Sequence, residues 1–272
     1  MKISELKKEA KIKLSGKMKK AFSIYLIYMF LTIVLFVLLF NILTKLSLSV
    51  DTQTTLTIIQ DLIAIVCIPF SFGILASMIR LSRNDDVKVF DFLKIGIQNI
   101  GKIFKIYIVM IIKLWKPILL YCIAYLFVIL FQNNYLVGTI PILASLILAI
   151  VSIVMFIQKS LSYSLALYIF HDNPEDKPGN ILDKSEKIMN GYRLKIVLLD
   201  LSFIGWIFVI ALVTILAVFL SIVPIIASIN NVLGLVNTNI HSLALVIGVV
   251  LLLPYMSFTK INFYEELISN EK

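Results

Sequence analysis

PILLYCIAYLFVILFQNNYLVGTIPILASLILAIVSIVMFIQ, residues 117–158, is a run of 42 residues without one charged side chain, closed by Lys116 and Lys159. A helix rises about 1.5 Å per residue, so roughly 20 apolar residues cross the ~30 Å hydrocarbon layer of a bilayer. The run is twice that length. Gln132-Asn133-Asn134 interrupts it with residues that favour turns, so it reads as two helices joined by a tight outer turn. Lipid offers no hydrogen bonds to a backbone, which makes helices the form these stretches take.

The same reading extends along the chain. Between Asp200 and Lys260 lie 59 more uncharged residues, broken at Asn230-Asn231 and Asn237-Thr238-Asn239, which gives a second hairpin. Two further apolar runs precede residue 80, the second carrying Asp61, Pro69 and Gly73. The predicted fold class is therefore all-α, a polytopic transmembrane helical bundle of six spans, about 21–43, 56–79, 112–131, 136–158, 198–229 and 241–259. An amphipathic interfacial helix over 1–20 precedes this 21–268 domain, and 269–272 form a tail. Composition agrees, with 60% of residues hydrophobic and 15% charged, against about a quarter charged in soluble domains. The uncharged run after the first lysines exceeds the apolar region of a secretion signal, so it reads as a retained first span.

The positions of lysine and arginine orient the spans. Eight lysines fall between Lys2 and Lys20, and a second group runs from Arg80 to Lys105. A third runs from Lys159 to Lys195, and Lys260 and Lys272 close the chain, whereas the three remaining connections hold only Lys45. With both termini in the cytosol of a bacterial cytoplasmic membrane, every loop obeys the positive-inside rule. The rule also accounts for the net charge of +9, and nucleic acid is not an expected partner. Connections this short cannot house a folded soluble domain of ~50 residues, so an energy source would have to come from a partner chain.

Catalytic constellations do not emerge. His171 and His241 are placed on opposite sides of the membrane, Cys67 and Cys122 sit inside apolar runs, and no zinc, nucleophile-elbow or phosphate-loop motif occurs. No enzyme activity, cofactor or metal is expected.

The polar candidates lie on the cytosolic rim. Ile3, Leu6, Ala10, Leu14, Met18 and Ala21 recur at spacings of three and four, one stripe of a helix. Lys7, Lys8, Lys11, Lys13 and Lys17 on the remaining surface suit anionic headgroups of membrane lipids. A second amphipathic helix is expected over Val89–Phe104, with Asp85 and Asp86 at its N-terminal cap. Lys113, Lys116, Lys159, Tyr163 and Asp200 form a candidate polar cluster. Two readings stand: snorkelling lysines with Trp115 as an interfacial anchor, or a charged vestibule in which Asp200 pairs with a lysine. Asp61 is an outer-interface residue or an intramembrane ligand.

Several motifs occur in order: MKISELKKEAKIKL at the start, KSLSYSLALYIFHDNP from Lys159 to Pro174, SEKIMNGYRLKIVLLDLSFIGW from Ser185 to Trp206, and PYMSFTKINFYEEL from Pro254 to Leu267. With these the chain resembles domain-of-unknown-function family 975, polytopic integral membrane proteins of Gram-positive bacteria. The matching positions include Asp172, Asn173, Pro174, Ser185, Gly191, Ser202, Trp206, Pro254, Tyr255 and Tyr264. The chain departs from the family pattern at Phe156-Ile157, where others carry Pro-Gly, and in the 47 residues between Trp206 and Pro254. The resemblance implies a structural framework rather than an activity. Asn173-Pro174 is expected to stop a helix, Gly191 to end a short helix around Ile181–Asn190, and Gly205 to permit close packing or a bend.

The functional expectation is a non-enzymatic accessory, scaffolding or protective membrane protein, for example one giving immunity to an antimicrobial peptide. The alternative is the membrane component of a transporter for a small solute, lipid or peptide, with its ATPase on a separate chain. Interrupted spans at Pro69 and Gly73, Pro141 and Gly205 motivate that alternative. The partner would then be a membrane protein, a peptide or an ATPase.

Overall fold

The computed structural model describes residues 2–45, 52–133, 135, 138–222 and 240–270, with side chains except at 44, 52, 217–222 and 240–244. The turns expected at Asn230-Asn231 and Asn237-Thr238-Asn239, most of the connection after the first span and the His241 side chain lie outside that set. The described residues are helical throughout their regular structure. The helices are α1 (Ile3–Leu14), α2 (Met18–Lys45), α3 (Thr52–Ser82), α4 (Asp91–Gln98), α5 (Ile100–Lys113) and α6 (Trp115–Gln132). They continue as α7 (Ile140–Ser162), α8 (Ala166–Asp172), α9 (Pro178–Ile188), α10 (Arg193–Leu201), α11 (Ile204–Ile222) and α12 (Ile240–Ser269).

Among the described residues six helical stretches are long and apolar enough to cross a membrane: Met18–Leu43, Gln53–Ser82, Trp115–Gln132, Ile140–Asp172, Arg193–Leu216 and Leu245–Ser269. Large apolar side chains stand exposed along them, among them Phe30, Ile147, Phe208 and Leu212. Surface of that kind belongs in lipid, because soluble monomers do not carry it in continuous belts.

The chain divides into two compact units, residues 1–98 with 197–270, and residues 99–196. In the first, α3 crosses α4 with their backbones in close contact. A Cβ on Gly73 would lie 1.9 Å from the Phe92 carbonyl oxygen, and one on Gly96 would lie 2.8 Å from the Pro69 oxygen. Only hydrogen at both positions lets the two backbones meet. The segment expected as one helix over Val89–Phe104 is two helices broken at Asn99. Asp85 and Asp86 do not cap it; they face Arg80 and Lys20 at 3.8 and 3.1 Å. Asp91, the first residue of α4, ties the preceding turn to the helix, its Oδ2 accepting the Lys88 N–H at 2.9 Å.

In the second unit α6 and α7 form a helical hairpin. Ala124, Ser145 and Ser152 are buried there, small residues that let membrane helices approach closely. The Ser152 hydroxyl donates to the Pro117 carbonyl oxygen at 2.7 Å. Residue 173 ends α8 with φ −133° and ψ 69°, outside the helical region that the following proline disfavours. Gly191, three residues past the end of α9, sits at φ +81°, where a Cβ would be strained. The bend anticipated at Gly205 lies earlier, at Ser202-Phe203 between α10 and α11, and open space surrounds Gly205.

Candidate functional site

The start and the end of the chain meet in the first unit. Leu6, Ala10 and Leu14 of α1 are buried, and the stripe packs on the C-terminal half of α12. The α1 lysines then reach polar groups that the helices leave open. At the α10–α11 break the Trp206 N–H bonds the Phe203 carbonyl, which frees the Ser202 carbonyl; Lys7 Nζ donates to it at 2.7 Å. The same ammonium lies 4.1 Å from the centroid of Phe203, and Phe203 meets Tyr255 edge to face at 5.4 Å. Lys17 Nζ donates to the Leu81 oxygen at 2.7 Å and to Asn84 Oδ1 at 2.5 Å. A cation there answers the negative dipole end of α3, where Leu81 O also accepts the Asn84 N–H at 3.3 Å.

Asn262 anchors the other side of α1. Its Nδ2 donates to the Leu6 oxygen at 3.2 Å, and its Oδ1 accepts from Lys13 Nζ at 2.8 Å. Lys13 also reaches Glu265 Oε2 at 2.8 Å, and Arg83 Nε reaches Glu265 Oε1 at 3.2 Å. Burial holds the Lys7 ammonium below the usual lysine pKa. Lys17 is lowered for the same reason, with repulsion from Lys13 adding to it. So of the five lysines expected at a lipid surface, Lys7, Lys13 and Lys17 are engaged by protein, while Lys8 and Lys11 are exposed.

A separate polar group forms in the second unit around α9. Lys113 pairs with Asp183, and Lys159 Nζ meets Glu186 Oε1 at 2.5 Å. Tyr163 donates to Glu186 Oε2 at 3.4 Å, and Ser185 Oγ donates to the Ser162 carbonyl at 2.7 Å. Lys116 lies 5.7 Å from the Trp115 ring. Asp200 belongs to the first unit, where Lys260 meets it at 2.9 Å. Lys113, Lys159 and Tyr163 are thus gathered on α9 carboxylates, and Asp200 takes its lysine from α12. Asp183 and Glu186 were not anticipated, although three-residue spacing on one helix face marks them. Asp61 is exposed on α3.

The family model described as protein of unknown function (DUF975) matches residues 1–271. The chain belongs to this family. No curated protein and no solved structure matches it. In this DUF975 chain the motif residues gather in two places. Ser202, Trp206 and Tyr255 lie beside the docked α1 in the first unit, and Tyr264 is fully buried on α12. Asp172, Asn173, Pro174, Ser185 and Gly191 shape the α8–α9 corner in the second.

The first unit of this DUF975 chain also holds two apolar cavities. One, of about 530 Å³, lies among α2, α3 and α12; its polar fringe includes Tyr25, which meets Ser257 at 2.5 Å, and Tyr28, which meets Ser71 at 3.4 Å. The second, of about 490 Å³, lies between α11 and α12 beneath α1 and is lined by Lys11, Met18, Trp206, Val213, Gly248 and Tyr255 among others. Among the described residues no three His, Cys, Asp or Glu side chains converge as metal ligands.

Proposed function

We propose that this DUF975 chain is a non-enzymatic accessory protein of the bacterial cytoplasmic membrane, with both termini cytosolic, that scaffolds or protects rather than transforms a substrate. The observation that supports this reading is how the rim cations are used. Lys7, Lys13 and Lys17 hold α1 to the first unit, and Lys113 and Lys159 hold α9 within the second. The engaged charges thus brace the helices, and the cavities beside them are apolar. Such surfaces recognise hydrophobic segments and amphiphiles by burial, with a few polar groups for orientation. Protection against a membrane-active peptide is one role with that chemistry.

The break at Ser202-Phe203, with Pro69 and Pro254 inside the otherwise continuous α3 and α12, favours the second reading, a membrane subunit of a transporter, because interrupted helices line many transport sites. Purification in native lipid followed by mass spectrometry separates the two. A co-purifying peptide, sensor or protease, together with raised peptide sensitivity of a deletion strain, supports the accessory role. A stoichiometric ATPase overturns it in favour of transport.

A further inference from the structure

The groove between α11 and α12 has a chemical gradient along its length. Lys11 stands at one end, exposed and without an ion-pair partner among the described residues. Its neighbours Lys7, Lys13 and Lys17 are all engaged. Trp206 and Tyr255 come next, the amphipathic aromatics that settle where apolar and polar phases meet. Beyond them the lining is aliphatic, through Val213 and Leu251, and it closes at Gly248, where a Cβ would meet the Ile210 side chain at 2.9 Å. Trp206 to Val213 and Gly248 to Tyr255 each span seven residues, about 10 Å of helix rise. The volume of about 490 Å³ falls in the range of small-molecule sites, roughly 300–1,000 Å³.

We propose that this groove is a binding site for one anionic phospholipid of the membrane, its phosphate on Lys11 and one acyl chain laid between α11 and α12 toward Gly248. Charge decides the class of occupant. A zwitterionic lipid brings its own choline cation to compete with Lys11 for the phosphate, whereas an anionic headgroup leaves a net negative charge for the ammonium while the chain fills the trough. The α1 docking described above gives the site its specificity, because Leu6, Ala10 and Leu14 fix the helix that carries Lys11. The proposal needs residence in a membrane but not the accessory role, so the two can fail independently.

The chain has two tryptophans, so Trp115→Phe leaves Trp206 as the sole reporter inside the groove. That full-length protein is reconstituted in phosphatidylcholine vesicles containing a few mole per cent of brominated phosphatidylglycerol or brominated phosphatidylcholine. A lysine near a headgroup contributes about 1 kcal/mol, so the anionic lipid should quench Trp206 at about fivefold lower mole fraction than the neutral one. Lys11→Gln should abolish that preference, Lys11→Arg should keep it, and Lys8→Gln, on the same helix but outside the groove, should also keep it. Gly248→Leu should weaken quenching with Lys11 intact; the lysine variants decide the matter even where that variant does not fold. Equal quenching by the two lipids would overturn the proposal, as would loss of preference in Lys8→Gln to the same extent as in Lys11→Gln. Stronger quenching by a brominated fatty acid than by the phospholipid would also overturn it.

Discussion

Gly73→Ala is the substitution whose consequence the structure determines most sharply. The added Cβ would sit 1.9 Å from the Phe92 carbonyl oxygen, 2.8 Å from its carbonyl carbon and 3.2 Å from the Gly96 nitrogen. Ordinary contact begins near 3.4 Å, so α4 would have to retreat from α3 by about 1.5 Å. All three obstructing atoms are backbone, which has no rotamer to escape into. Overpacking costs about 1–3 kcal/mol where side chains can yield; with backbone in the way we expect ~3 kcal/mol, more than a hundredfold in the folded-to-unfolded ratio. Gly96→Ala meets Pro69 backbone at 2.8 and 3.1 Å and should cost about 1–2 kcal/mol. Gly101→Ala, with open space around it, should be neutral or gain up to ~1 kcal/mol from better helix propensity. Reversible unfolding of the three purified variants in mixed micelles, titrated with dodecyl sulfate, gives the order. A Gly73→Ala protein within about 0.5 kcal/mol of the parent would refute the close crossing of α3 and α4.

Asn262→Ala removes the side chain that binds both Leu6 O and Lys13; with Leu6 O still inside α1 and Lys13 still on Glu265, the loss should cost about 1 kcal/mol, and trypsin should cut the N-terminal segment faster. Asp200→Asn breaks the half-exposed pair with Lys260 and should lower stability by up to ~1 kcal/mol, while Asp61→Asn, exposed on α3, should change nothing in the same unfolding assay. The Lys7 pKa is lowered by burial from 10.5, so between its folded value and 10.5 the folded chain binds fewer protons than the unfolded chain. Stability therefore rises with pH across that window, and midpoints measured as the pH approaches 10.5 from below should climb more in the parent than in Lys7→Met.

The spans were legible because hydropathy is a property of consecutive residues: residues 117–158 announce two helices before any contact is known. The rim was legible only in part. The α1 stripe at Leu6, Ala10 and Leu14 marks a helix, but an apolar stripe suits lipid and protein equally, and its cover is supplied from α12, some 250 residues later. Likewise Lys113 and Lys159 signal a polar level, whereas their partners Asp183 and Glu186 come from α9, whose placement depends on packing between Ser185 and Ser162. Gly73 was visible as a weak point in a span. That it faces Gly96 across a helix crossing requires the fold, as does the freed Ser202 carbonyl ahead of Gly205.

The account rests on a multi-pass chain whose two ends lie on one side of a membrane. Single cysteines at Ser4, Lys45 and Ser269, in a Cys67→Ser, Cys122→Ser background, test it directly with a membrane-impermeant maleimide on sealed spheroplasts and on inverted vesicles. The account predicts that Ser4→Cys and Ser269→Cys react only in inverted vesicles and Lys45→Cys only in spheroplasts. Labelling of Ser4→Cys and Ser269→Cys from opposite sides would contradict it.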